Sequence, residues 1–201
     1  HNVNFDDMEK VKKRMFFGKT VKYVEHYNIP ASYDIETSSF TNVEGNPVAI
    51  TYNHAVNIDG YVFNMRTWEE LEDFMFTLSV KAGLSVDGRR MIIYVHNLHY
   101  EFQFMKKHFY WFEVFANGSE RKILKAVTSN GIEFRCSYML SGMNLERTAK
   151  NLDKYKIDKM VGDLDYDLIR TPKTPLTNKE MGYIVNDVVI IIIAADENVM
   201  P

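Results

Sequence analysis

The stretch that begins at Thr177 limits this fold more than any other. It opens with Thr177-Asn178-Lys179-Glu180, a capping-box pattern in which the Thr side chain and the Glu three residues later satisfy backbone donors at a helix start. It runs into Val188-Val-Ile-Ile-Ile-Ile193, a block that propensity alone would make a strand. The cap upstream decides for helix. A helix that is apolar on every side is expected where it is buried on every side, so the chain has to enclose it in a core. With 201 residues, 46% of them hydrophobic, it can do so without disulfides, metals or a partner.

The remaining elements follow from turn signals and periodicity. Ser32 to Glu36, Pro47 to Tyr52 and Gly60 to Asn64 are β-rich runs, the first two separated by turn residues from Asn42 to Pro47. Thr67 caps a helix with Glu70 at its third position and Leu71, Phe74, Met75 and Leu78 as its apolar stripe, up to Gly83. Met91 to His96 reads as a buried strand and Tyr100 to Phe109 as a helix. Phe112 to Phe115, Arg121 to Val127 and Ile132 to Tyr138 read as strands, turned at Asn117-Gly118 and Asn130-Gly131. Asn144 to Leu152 is helical and Pro172 to Pro175 is a loop. Met8, Val11, Met15 and Phe16 recur at roughly helical spacing, which predicts a helical N-terminal extension over residues 1–30 ahead of a domain over residues 31–201. Together these define an α/β fold with a central mixed β-sheet flanked by helices.

Charge and cysteine usage narrow the function classes. The net charge of -3, from 24 basic and 27 acidic residues, argues against a general nucleic-acid coating protein held by phosphate contacts alone. It is compatible with an enzyme that gathers carboxylates around cations. The single Cys136 excludes an intramolecular disulfide and suits a reducing, intracellular compartment. The longest apolar run, Val188 to Ala195, falls far short of the roughly 20 residues of a membrane helix. A soluble protein without a membrane partner is expected. The start at His1 and the stop at Pro201, directly after an apolar segment, read as cuts in a longer chain.

Three constellations can carry chemistry. Asp34-Ile35-Glu36 sits at the end of a predicted strand, where alternation puts both carboxylates on one face, able to hold a divalent cation. Two acids on a solvated strand face are the plain alternative. His96-Asn97-Leu98-His99-Tyr100-Glu101 follows a buried strand, where site residues collect in α/β sheets. Its plain alternative is a polar helix cap, and His96 and His99 lack the further ligands of a closed zinc site. Tyr183 and Asp187 stand four apart on the last helix and share a face. A carboxylate in so apolar a helix needs a partner or a metal, unless it is a cap or an exposed turn.

Taken in order, Asp-x-Glu, Asn-x-x-Tyr-Glu and Tyr-x-x-x-Asp resemble the three motifs of DEDDy-type 3'-5' exonucleases. In finer detail the chain resembles the protein-primed family B DNA polymerases of small phages and linear plasmids. Tyr94-Val-His-Asn-Leu-His-Tyr-Glu101 is similar to their second exonuclease motif. Ser137-Tyr138 and Leu145 to Leu152 are similar to a DNA-contacting strand and helix, and Gly162-Asp-Leu-Asp-Tyr166 to the approach to the third motif. The likeness runs from about Tyr33 to the C-terminus and includes no palm-domain polymerase motif.

This resemblance implies a ribonuclease H-like (DnaQ-like exonuclease) fold and a proofreading domain with a polymerase domain C-terminal to it. It implies two divalent cations, Mg2+ or Mn2+, bridging the scissile phosphate at the 3' end of single-stranded DNA. Asp34, Glu36 and Asp187 would be the direct ligands, with Glu101 as the fourth carboxylate and Tyr183 orienting the attacking water. Thr37, Asn97, Tyr100, Ser137 and Tyr138, with Lys159 and Tyr166, would hold the frayed 3' end. A terminal protein primer is a further implied partner, and the host cytoplasm the implied location of a phage-encoded enzyme.

Two departures bear on activity. The family has Asp where this chain has Glu101, and the extra methylene moves the carboxylate by over ~1 Å in a site where such shifts matter. The family's basic residue ahead of Gly162 is Val161 here, with Lys159 two residues earlier. A catalytically weakened or silent module of the same fold therefore stands beside the proofreading reading. So do a free-standing DEDDy nuclease acting on RNA and an unrelated α/β binding domain.

Overall fold

Residues 10–27 form a hairpin, not the expected helix. Strand β1 (Lys10–Phe17) pairs antiparallel with β2 (Thr20–Tyr27), and Phe17 faces Thr20 across the two-residue turn Gly18-Lys19. Gly18 sits at φ +60°, a conformation glycine adopts without steric cost. The helical spacing of Met8, Val11 and Met15 is overridden by long-range contacts. Val24, His26 and Tyr27 are buried, the Tyr27 hydroxyl donates to the Ala82 carbonyl at 2.8 Å, and Glu25 and His26 pair in parallel with Arg89 and Arg90. In this computed structural model the described residues are 4–118, 121–152, 157, 160 and 168–196.

A meander follows: β3 (Ala31–Thr41), β4 (Pro47–Ile58) and β5 (Tyr61–Met65). The Asn42 side-chain oxygen accepts from the backbone N–H groups of Glu44 and Asn46, which turns β3 into β4. Asp59 and Gly60, both at positive φ, form the two-residue turn into β5. Both strands of the first pair run several residues past their expected ends, with a bulge between Glu36 and Thr37.

The capping box at Thr67 and Glu70 opens α1 (Trp68–Lys81) as expected. Then come β6 (Arg89–Val95), α2 (Leu98–Met105), β7 (Trp111–Ala116), β8 (Ile123–Thr128) and β9 (Ile132–Cys136). The last strand stops two residues early, and Ser137 begins the short α3 (Ser137–Ser141), followed by α4 (Leu145–Lys150). The capped apolar segment is indeed a helix, α5 (Asn178–Asp196). Its box is closed by Glu180 N–H to Thr177 Oγ1 at 3.2 Å and by Thr177 N–H to the Glu180 carboxylate at 2.6 Å.

The central path of the sheet runs β5-β4-β3-β6-β9-β8-β7, with β3, β6 and β9 parallel and the others antiparallel to their neighbours. Tyr33, Ile35, Val56, Met91, Ile93, Val95 and Phe134 share the main core with Leu71, Met75 and Leu78 of α1 and Leu98 and Met105 of α2. On the opposite face α5 packs Ile190, Ile191 and Ala194 on Leu145, Ala149 and Leu152, and Ile184 and Val188 on Ala55. Helices thus cover both faces, and α5 is enclosed between the sheet and α4. No helix among the described residues is long and apolar enough to cross a membrane. Lys159, Val161 and the Gly162 to Tyr166 segment lie outside the described residues.

Candidate active site

Register brings the first two constellations to one level. Ser32 pairs with Tyr94 and Tyr33 with Val95, while Val95 pairs with Cys136. Asp34, His96 and Ser137 therefore stand at one level, just past the parallel-paired positions: β6 and β9 end there, a level at which α/β sheets place their sites, while β3 runs on to Thr41 paired only with β4. The His96 Nδ1 and the Ser137 hydroxyl lie 3.2 Å apart, and the His96 ring meets Tyr138 edge to face. His96 is thereby engaged with Ser137.

Asp34 and Glu36 share a face, as the alternation predicts. Their cross-strand partners on β4 are Ala55 and Asn53, and Ala55 packs against Ile184 and Val188, so this is the face that α5 covers. The Ser32 hydroxyl donates to the Val188 carbonyl at 2.7 Å and pins α5 to β3. Asp187, next in sequence to Val188, is buried on that helix. Tyr183, one turn earlier, lines a cleft of about 190 Å³ together with Glu36, Thr37, Ser38, Tyr52 and Arg170.

Helix α2 brings the remaining carboxylate in from the end of β6. Asn97 takes a left-handed conformation, φ 64° and ψ 51°, which swings the chain from strand to helix and which Asn tolerates better than most residues. One turn on, the Tyr100 and Thr37 hydroxyls lie 2.9 Å apart and tie α2 to β3. Glu101 is 4% exposed, and its Oε2 has no hydrogen-bond partner among the described residues. Burial first, and then the neighbouring charges of Asp34 and Glu36, hold the Glu101 carboxyl well above the ordinary range. Tyr33, beneath them, is likewise raised by burial and by Glu101 and Asp34.

Asp34, Glu36 and Glu101 thus lie within electrostatic reach of one another. Among the described residues, however, no group of three or more His, Cys, Asp or Glu side chains stands in an arrangement that would hold a metal ion. The structure shows a gathering of carboxylates, not a formed cage. Lys159 and Tyr166 lie outside the described residues.

Sequence reasoning missed Arg170, Ser38, Ser39 and Tyr52. The Arg170 N–H donates to the Ser38 hydroxyl at 2.9 Å, and its guanidinium donates to Glu180, the residue that also closes the α5 cap. A buried Arg so placed links β3 to the start of the helix that carries Tyr183. The nearest signal was Glu180, read only as a capping residue. Burial, with Glu36 adding to it, pushes the Tyr52 phenol up, so it stays protonated beside the cleft.

This arrangement is a ribonuclease H-like α/β fold: a mixed sheet flanked by helices, with Asp34 and Glu36 on β3 and Glu101 on the helix that follows β6. Solved structures of the phi29 DNA polymerase share it. The complex with primer-template DNA aligns with a TM-score of 0.64 at 14% identity, over 83% of this chain and 30% of the polymerase. The ternary complex with primer-template DNA and incoming nucleotide aligns at 0.63 and 15%, over 84% and 31%. The complex with single-stranded DNA aligns at 0.56 and 17%, over 83% and 31%. The chain therefore spans about 30% of the length of the polymerase chains it matches. No protein-family model and no curated protein matches the sequence.

Proposed function

We propose that the chain is the 3'-5' exonuclease domain of a phage-type DNA polymerase and hydrolyses the 3'-terminal phosphodiester of single-stranded DNA. The observation that carries this reading is Glu101, on the first turn of α2 just past the end of β6, buried within electrostatic reach of Asp34 and Glu36 with one oxygen lacking a hydrogen-bond partner among the described residues. Like charges gathered this way are costly unless a cation is shared among them. The all-carboxylate donor set suits a hard divalent ion such as Mg2+ or Mn2+. Asp34, Glu36 and Asp187 would hold it, with Glu101 as the fourth carboxylate. Bound metal would supply Lewis-acid activation of water and charge stabilisation at the scissile phosphate.

The chain's own residues then have distinct tasks. Tyr183 shares the cleft with Glu36, and a phenol there positions a water by hydrogen bonding rather than taking its proton. Thr37 and Tyr100, joined to each other, present a hydroxyl pair and an aromatic face at the rim to a terminal nucleotide. Stacking on Tyr100 and Tyr138 tolerates any base, as a proofreader requires. Asn97, Ser137, Lys159 and Tyr166 complete the proposed DNA contacts, and a polymerase domain and a terminal protein primer are the proposed partners.

A silent exonuclease fold, kept for binding, is the second reading. It is favoured by the absence of a metal-holding arrangement among the described residues and by the longer Glu101 side chain. The deciding experiment incubates the folded protein with 3'-labelled DNA and RNA single strands in Mg2+ and in Mn2+. Mononucleotide release from DNA supports proofreading, release from RNA alone points to an RNA nuclease, and no release from either supports the silent module.

A further inference from the structure

We propose that the β1–β2 hairpin is a second contact surface for single-stranded nucleic acid, separate from the carboxylate site. Within a chain of net charge -3, residues 10–27 hold six Lys and Arg and one acidic residue, Glu25. Three of the six are engaged locally: Lys10 caps backbone carbonyls of residues 5, 6 and 8, Lys22 is paired with Asp87, and Lys13 lies near Arg135 and Glu133. Lys12, Arg14 and Lys19 are exposed on the strands and the turn, with Lys12 opposite the Glu25 carboxylate across the hairpin.

Register sorts the hairpin into two faces. Lys12 pairs with Glu25, Arg14 with Tyr23 and Phe16 with Val21, so these residues share one face, opposite to the one that buries Val24 and His26. On that outer face two aromatic rings are left in the open, Phe16 at 71% and Tyr23 at 69% exposure. The Arg14 guanidinium stands over the Phe16 ring at 5.5 Å. Beyond Tyr23 the face continues into an open groove of about 430 Å³ lined by Lys12, Tyr23, Ser85 and the ion pair of Arg89 with Glu25.

Cations alternating with open rings are what a single strand needs: phosphates meet the cations and unstacked bases lie on the rings. A duplex would use the cations alone, because its bases are stacked inside. An acidic protein surface would complement the charge equally, but it gives no role to two flat rings standing clear of the fold. The hairpin joins the sheet at Arg89 and Arg90, where β6 begins, whereas the candidate site lies beyond Val95, where β6 ends. At about 3.3 Å per residue the two surfaces stand roughly 20 Å apart, so a strand touching both extends well past its terminal nucleotides.

The test is fluorescence anisotropy with labelled oligothymidylate of about 20 nucleotides, longer than single-domain binding sites. EDTA is present, so that binding is read apart from the carboxylate site and from any hydrolysis. The Lys12→Gln/Arg14→Gln/Lys19→Gln protein is expected to bind at least tenfold more weakly and to flatten the log–log salt dependence by about two units, at ~0.7 per lost single-strand contact. Phe16→Ala/Tyr23→Ala is expected to weaken the oligothymidylate about tenfold while leaving heparin binding unchanged. All five side chains are exposed, so unchanged thermal unfolding will show that the fold is kept. Absence of oligothymidylate binding by the wild type, or wild-type affinity in the charge variant, overturns the proposal. Loss of heparin and oligothymidylate alike on charge removal, with no effect of the ring substitutions, overturns it too and indicates an acidic protein partner.

Discussion

The hydroxyl groups of Thr37 and Tyr100 lie 2.9 Å apart, joining the bulge in the middle of β3 to the first turn of α2. Their residues are 63 positions apart in the chain, and the contact holds two of the acid-bearing elements in register.

Removing that contact alone should affect substrate capture more than turnover. Tyr100 is 42% exposed, so Tyr100→Phe loses one hydrogen bond worth about 1 kcal/mol and little packing. The expected result is a several-fold rise in KM with kcat within about twofold, and Tyr100→Ala should raise KM further through lost stacking. Steady-state hydrolysis of a short single strand checks this.

Glu101 should be stabilising only with a cation beside it. Glu101→Gln removes a buried carboxyl whose ionisation is opposed by burial and by the charges of Asp34 and Glu36, a cost that the unfolded chain does not bear. Without metal at pH 8 the variant should unfold higher by about 1 kcal/mol, a shift of roughly 2–4 °C in a protein of this size. Mg2+ or Mn2+ should raise the Tm of the wild type more than that of the variant. Differential scanning fluorimetry with and without metal reads both.

Stability should decline with acid below neutrality because of His54. Burial first, and then the nearby His108, lower its pKa from 6.5 to about 3. Its ring Nδ1 meets the Tyr33 hydroxyl at 2.9 Å, and the ring packs edge-on against Trp68. The unfolded chain therefore takes up a proton that the folded chain refuses. This contribution is complete above about pH 6.5 and is lost as pH falls toward 3, with a slope approaching ~1.4 kcal/mol per pH unit. Urea unfolding between pH 7.5 and 5 should show the slope, and His54→Gln should flatten it.

The buried carboxylate of Glu133 is held below the ordinary range against the effect of burial by its hydrogen bonds and charge contacts with His26, Arg135 and Arg90. Arg90 is 1% exposed and bonded to Glu133 at 3.0 Å. Glu133→Gln leaves that guanidinium without a countercharge and should cost about 3–5 kcal/mol in denaturant unfolding. A cost under ~1 kcal/mol would show that Arg90 is neutralised elsewhere.

What the sequence made legible divides along physical lines. The helix through Val188 to Ile193 was readable because its cap is local: Thr177 and Glu180 bond to each other. The shared face of Asp34 and Glu36 was readable because the period of a strand is two. The hairpin over residues 10–27 was not, since the spacing of Met8, Val11 and Met15 imitates a helix while the contacts that decide the matter reach Ala82, Arg89 and Arg90. The Gly18-Lys19 turn was the available signal. Arg170 was hidden for the same reason, because Ser38 lies 132 positions away and no local pattern connects them. The carboxylates' approach could be expected, but not that Glu101 would be buried with an oxygen lacking a hydrogen-bond partner among the described residues.

The most direct test compares wild type, Asp34→Ala and Asp187→Ala for mononucleotide release from 3'-labelled single-stranded DNA in Mn2+, with circular dichroism confirming the fold of each. The two-metal account predicts release by the wild type and a loss of at least ~1,000-fold in both variants, since removing charge stabilisation at a reacting centre costs several kcal/mol. Near-wild-type hydrolysis by either variant, or no hydrolysis by the wild type, would contradict it.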